Sequence, residues 1–271
     1  MTELEHVGRR RLGHSRLGGV PTELPHSTER GEAQLALLAE PVPQSERREL
    51  LPGVVHVSGW LDLAAQRALA ADFRRWAMPP AGLRHPRMPT GHLMTVQSVC
   101  LGWHWYPYVY SKTADDTDGA PVKPLPRSLF ELGRAAVAAA YGASSRAAQS
   151  YAPDAAIVNL YAPGARLGLH QDAEEPSDAP VVTISLGDTC VFRLAGVKTR
   201  NAPFCDVPLA SGDLLVFGGP NRRIYHGVPK VNAGTAPDRV DLPPGRLSIT
   251  LRETGLPTGT FFEFLSCSSR G

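Results

Sequence analysis

The sequence predicts a mainly β fold, a sandwich or jelly roll, with a few flanking helices. Two observations carry this. After Ala155 the chain breaks into short apolar runs separated by Gly, Pro, Asn and Asp, and before it only two segments show a helical period. A length of 271 residues bounds the answer to one substantial domain plus a tail.

Residues 1–45 mix Gly, Pro, Ser, Glu and Arg without apolar periodicity and include Arg9-Arg10-Arg11. They read as a disordered tail, which leaves 46–271 as the folded domain. A β-rich run, Val54-Val55-His56-Val57, opens it. A helix follows, with Leu69, Phe73 and Trp76 recurring at i, i+4 and i+7. Pro86, Pro89 and Pro107 interrupt residues 84–126, so this stretch is expected to form irregular strands and loops suited to a lid. A second helix is expected from Ser128, capped by the Ser128–Glu131 pair and ended by Gly142. The strands beyond are Ile157-Val158, Val181–Leu186, Val191–Leu194, Leu214–Phe217 and Leu247–Leu251.

Composition is that of a soluble globular protein, 42% hydrophobic and 20% charged, with a net charge of +2 that does not by itself announce a nucleic-acid binder. Cys100, Cys190, Cys205 and Cys267 form no C-x-x-C pair, which fits a reducing, cytoplasmic setting. No signal-like apolar core lies in the first thirty residues and no stretch of about twenty apolar residues occurs. A soluble, non-membrane monomer is expected.

The chemistry is concentrated in His170-Gln-Asp172. On an extended strand residues i and i+2 project to one side, so the imidazole and the carboxylate can reach one ion. His226, 54 positions beyond Asp172, offers a third ligand. Two His and one carboxylate are the ligand set of non-haem Fe(II) oxygenases, with positions left for a co-substrate and O2. In Arg246-Leu-Ser-Ile-Thr-Leu-Arg252, apolar and polar residues alternate cleanly, placing both Arg on the polar face. Two inward guanidinium groups call for anions, and a dicarboxylate such as 2-oxoglutarate supplies two.

These motifs, in this order, strongly resemble the AlkB family of alkylated-base demethylases, bacterial type: Asn159-x-Tyr161-Ala-Pro-Gly, His170-Gln-Asp172, Ser211-Gly-Asp213, Tyr225-His226-Gly and the Arg246–Arg252 segment, within residues 53–256. The resemblance implies a double-stranded β-helix with flanking helices and an Fe(II)/2-oxoglutarate-dependent dioxygenase. His170, Asp172 and His226 would be the metal and catalytic residues. Asn159, Leu160, Tyr161, Arg246, Ser248 and Arg252 would hold 2-oxoglutarate. Trp103, Tyr108, Val109, Tyr110, Glu174 and Arg200 would meet the substrate, an alkylated nucleic acid expected to be single-stranded DNA or RNA, with formaldehyde released from bases of the 1-methyladenine or 3-methylcytosine type. The chain departs from the pattern at Ser248, where Asn is common, at Glu174, where Asp is usual, and in the shorter Trp103–Tyr108 spacing. A 2-oxoglutarate-dependent hydroxylase of a protein or small metabolite is the alternative reading.

Overall fold

A computed structural model describes residues 45–257. The predicted tail, apart from its last residue, therefore lies outside the described residues. The strands are β1 (Glu46–Leu51), β2 (Val54–Ser58), β3 (Gln97–Leu101), β4 (His104–Tyr106), β5 (Val109–Ser111), β6 (Ala155–Tyr161), β7 (Leu167–His170), β8 (Val181–Gly187), β9 (Cys190–Leu194), β10 (Cys205–Leu209), β11 (Leu214–Phe217), β12 (His226–Val231) and β13 (Arg246–Arg252). Helices α1 (Leu63–Trp76), α2 (Arg127–Tyr141) and α3 (Arg146–Ser150) accompany them.

The strands form a seven-stranded major sheet, ordered β1-β2-β11-β8-β13-β6-β3, and a four-stranded minor sheet, ordered β10-β9-β12-β7. From β6 onward the chain shares its strands between the sheets: β6, β8, β11 and β13 enter the major sheet, β7, β9, β10 and β12 the minor one. All ladders between neighbours are antiparallel. This is the expected jelly roll with flanking helices. β4 and β5 pair only with each other, as a hairpin apart from both sheets.

Alternation along the strands builds two cores. Val158, Leu160, Ile184, Leu247, Ile249 and Leu251 point outward onto helices α1 and α2, meeting Leu69, Phe73, Trp76, Leu129 and Val137. Burying each such side chain contributes about 1.5–3 kcal/mol. Tyr161, Leu215 and Phe217 face the other way and pack between the sheets against Phe192, Leu194, Leu209 and Val228. The opposite face of β13 carries Arg246, Ser248, Thr250 and Arg252, and all four are buried. The period-two reading of this strand therefore holds, with its polar face turned inward.

The capping box at Ser128 does not form. Helix α2 starts one residue earlier, with Pro126 as an N-cap that makes no side-chain hydrogen bond, and Glu131 accepts from Arg127 Nε at 2.7 Å instead. Ser128 is already inside the helix, where its hydroxyl is in the wrong place to cap. α1 does have a side-chain cap, Asp62 accepting from the Ala65 amide. β1 carries no apolar alternation in its sequence Glu-Arg-Arg-Glu-Leu-Leu, and it lies at the exposed sheet edge.

The Ser211-Gly-Asp213 turn proves to be a fastening. Asp213 accepts from His56 Nε2 at 2.9 Å and from the Gly59 and Ala210 amides, while Ser211 accepts from the Gly187 amide and donates to Gln66. Gly245 sets the entry to β13. Its φ is +122°, and a Cβ there would stand 2.0 Å from the Tyr161 carbonyl oxygen, so the close approach that delivers Arg246 requires glycine. No helix among the described residues is long and apolar enough to cross a membrane.

Candidate metal and co-substrate site

His170 is the last residue of β7 and His226 the first of β12, and the two are direct partners across the minor sheet. Their ring centroids are 4.4 Å apart. Asp172 lies just past the end of β7. His170 Nε2 is 3.6 Å from Asp172 Oδ1 and His226 Nε2 is 3.8 Å from Asp172 Oδ2. One ligand atom from each residue lies within 4.8 Å of the others. Each imidazole places Nδ1 3.0 Å from the carbonyl two residues before it, Gly168 or Ile224. With Nδ1–H donating there, Nε2 keeps its lone pair for a metal. Phe192 stacks on His226 at 5.6 Å between centroids and holds that ring in place.

The electrostatics suit the same role. Burial, with His170 nearby, pushes His226 down to about 4, so it is neutral near neutral pH. Burial alone would raise Asp172, but Arg252, the two imidazoles and Arg222 outweigh it and hold the carboxyl at about 2, ionised. Asp172 Oδ2 is buried without a hydrogen-bond partner. An ionised, unpartnered oxygen beside two free Nε2 atoms fits a divalent cation.

Beside this triad lies an anion cradle. Arg246 is fully buried. Its Nε donates to Ser185 Oγ at 3.0 Å and its Nη2 reaches Ser248 Oγ at 3.4 Å, with Nη1 left unpartnered. The guanidinium sits 5.1 Å from the centre of the Tyr161 ring, and burial raises the Tyr161 hydroxyl to about 12. No carboxylate of the described residues neutralises Arg246. A buried, unpaired guanidinium is costly, so the arrangement fits a bound carboxylate.

Not every expected co-substrate residue sits here. Asn159 lines the cavity and accepts from Ser98 Oγ at 2.6 Å. Leu160, between Asn159 and Tyr161, faces the opposite side and packs in the core under the helices, as strand alternation requires. Arg252 lines the cavity, yet its guanidinium is already held by Asp172, Glu175 and Tyr110.

His170 and Asp172 open into a cavity of about 350 Å³ whose far wall is the lid, with Met88, Met94, Trp105, Pro107 and Tyr108. That size suits a small planar group. Tyr108 is at the hairpin tip, 64% exposed, with φ +72°, a conformation uncommon for a large residue. Trp103 is not in this wall. It is 8% exposed, its Nε1 donates to Asp154 at 3.0 Å, and Lys112 Nζ lies 3.4 Å over its ring. The cause is Gly102. With φ +80° and a Cβ position 2.0 Å from the Asp154 carbonyl oxygen, it bends the chain between β3 and β4, and Trp103 lies in that bend, outside the strand that carries Trp105. Glu174 lines the cavity, Val109 points to solvent on β5, and Arg200 is exposed on the loop after β9. Tyr110 reaches inward to Glu175. Sequence reasoning missed Trp105, Glu175 and Arg222. Only Trp105 left a signal, as a second aromatic near the first.

Known proteins bear on this geometry. Residues 53–252 match the model of the 2OG-Fe(II) oxygenase superfamily. The chain is 40% identical over 174 residues to the alpha-ketoglutarate-dependent dioxygenase AlkB of Escherichia coli (strain K12), covering 62% of this chain and 75% of that one. It is 32% identical to the DNA N(6)-methyladenine demethylase ALKBH1D of Arabidopsis thaliana, covering 79% of this chain and 52% of that one. The solved structure of OsALKBH1 superposes with a TM-score of 0.68 at 32% identity, over 76% of this chain and all of the other.

Proposed function

The chain belongs to the 2OG-Fe(II) oxygenase superfamily, on its AlkB side, and from that premise we propose that it oxidatively demethylates N-alkylated bases in DNA or RNA. The observation that carries this reading is one cavity in which His170 and Asp172, two members of the His170–Asp172–His226 cluster, face an aromatic lid. His170 and His226 would hold Fe(II) through Nε2 and Asp172 through its carboxylate. Arg246, with Ser248 and Tyr161 beside it, would hold the distal carboxylate of 2-oxoglutarate, and Asn159 would border its metal end. Bound there, Fe(II), 2-oxoglutarate and O2 supply the oxidation, which yields succinate and CO2 and hydroxylates an N-methyl carbon that then leaves as formaldehyde.

The chain's own residues do the rest. Trp105 and Tyr108 offer flat faces to an extruded base, and the indole N–H of Trp105 is buried with no acceptor of its own. Glu174 stands where it can accept from an exocyclic amino group. Arg200, farther out, would meet a phosphate. The apolar wall of Met88, Met94 and Pro107 keeps water from the methyl group. A methyl group on the pairing edge already weakens the duplex, and single strands avoid the cost of extrusion altogether, which favours single-stranded substrate. The described Cys100, Cys190 and Cys205 are free thiols, consistent with the cytoplasm.

The test is formaldehyde release from single-stranded oligonucleotides carrying 1-methyladenine or 3-methylcytosine, with Fe(II), 2-oxoglutarate and O2 supplied. Release in step with succinate is expected. Succinate without formaldehyde from any methylated DNA or RNA would move the substrate to a protein or small metabolite.

A further inference from the structure

The carboxylate of Asp172 is not free to turn. Its Oδ1 accepts from Arg252 Nη2 at 2.7 Å, while Oδ2 has no partner. The other edge of that guanidinium, Nη1, donates to Glu175 Oε1 and to the Tyr110 hydroxyl oxygen, each at 2.8 Å. The Tyr110 hydroxyl donates in turn to the same Glu175 oxygen. Glu175 Oε2 pairs with Arg222 at 3.3 Å, and Arg222 Nη1 donates to the Asp172 carbonyl at 3.1 Å. Asp172, Glu175, Arg222 and Arg252 are all buried. Two carboxylates balance two guanidinium groups, so removing any one leaves an uncompensated charge.

Glu175 and Tyr110 touch neither the cluster of metal-ligating atoms nor, on the cavity wall, the place of a base. Each acts on Arg252. Without Glu175, the guanidinium would have Asp172 as its one carboxylate and could swing to fork both of its oxygens, the preferred bidentate arrangement. That would occupy Oδ2. With Glu175 and Tyr110 gripping Nη1, Arg252 meets Asp172 through one nitrogen and one oxygen. Tyr110 also belongs to β5, in a hairpin that shares no ladder with either main sheet.

We propose that Glu175 and Tyr110 are positioning residues for the metal carboxylate, holding Arg252 so that Asp172 offers Oδ2 to the metal, and that Tyr110 thereby links the lid hairpin to metal loading. The proposal rests on the metal-site reading above. Linkage of this kind is reciprocal: whatever fixes Asp172 fixes Arg252 and the Tyr110 hydroxyl, and steadies the hairpin.

The experiment uses the full chain, without O2, with and without Mn(II) plus 2-oxoglutarate. Amide exchange of residues 104–111 and the Mn(II) dissociation constant are both measured. In the wild type, loading slows exchange of the hairpin by about fivefold or more. Tyr110→Phe, which removes a single oxygen atom, still binds Mn(II) but loses that slowing. Glu175→Gln weakens Mn(II) binding by about fivefold or more. Should Glu175→Gln fail to fold, Tyr110→Phe carries the test, because a purely structural hydroxyl would alter exchange equally in both states. Equal slowing in wild type and Tyr110→Phe, or none in the wild type, overturns the linkage. A wild type that binds no Mn(II) overturns the metal-site assignment and the proposal with it.

Discussion

The strands that carry His170, His226 and Arg246 hang on ladder hydrogen bonds, whereas the cavity wall that carries Trp105 and Tyr108 hangs on side chains. β13 is paired on both sides, to β6 and β8, over nearly its whole length. β12 is paired to β7 and β9. Residues on such strands have their facing set by register, and a slip of one position would turn every side chain to the other side. The lid hairpin has no neighbour of that kind. It is fastened by Arg84, which donates to the Trp105 carbonyl, by His104 to Asp116 at 2.5 Å, by Lys112 to the Gly102 carbonyl at 2.8 Å, and by Tyr110 to Glu175. The first region is specified by backbone and the second by individual contacts, so substitutions should act differently on the two.

The sharpest contrast comes from the ladder strands. His170→Ala, Asp172→Ala and His226→Ala should each lower succinate formation by about a thousandfold or more, equivalent to roughly 4 kcal/mol of barrier, while circular dichroism remains that of the folded protein. Retained turnover with stoichiometric iron in any of them would break the comparison at its stronger end.

The lid should divide its two tryptophans. Trp105→Ala is expected to cut formaldehyde release by about five- to a hundred-and-fifty-fold, since a stacked base is worth roughly 1–3 kcal/mol, with uncoupled succinate formation kept. Trp103→Ala should instead destabilise the fold by about 3–5 kcal/mol, as for other buried tryptophans, visible as a lower melting temperature. The reverse pattern would return the substrate wall to Trp103.

Smaller effects follow. Arg246→Lys should raise the 2-oxoglutarate concentration needed for half-saturation by about tenfold, because a point charge cannot replace a forked donor worth roughly 1.5 kcal/mol; an unchanged saturation curve would remove the anion cradle. Arg200→Ala, on an exposed loop, should alter oligonucleotide affinity by less than about fivefold, the range of a solvent-exposed charge pair at about 1 kcal/mol. A larger loss would place the nucleic-acid backbone nearer that loop.

The same division governs what could be read beforehand. His170, Asp172 and His226 were legible from ligand type and spacing, and Arg246 and Arg252 from a period of two, because ladders preserve alternation. Leu160 was misplaced only by being counted with its neighbours, and alternation itself sends it to the other face. In the lid, spacing carries little information. Trp103 lies in the bend that follows Gly102 and Trp105 inside β4, so the two, two apart, have different surroundings. Glu175 gave no sign, since a buried carboxylate is recognised by partners such as Arg222 and Arg252, 47 and 77 positions away. β1 was invisible because an exposed edge strand needs no apolar alternation.

The facing of His170 and His226 across one rung of the minor sheet also bears on how long the protein lasts in a cell short of iron. β7 is four residues long, lies at the sheet edge, and meets β12 at two register pairs with an irregularity between them. A cation held by both imidazoles ties that edge strand to its neighbour and stabilises the folded state by mass action. Iron scarcity should therefore silence the reaction and, in the same stroke, loosen β7. Proteases cut where backbone opens. The population of intact protein should thus track the iron supply, with metal-free molecules cleared first.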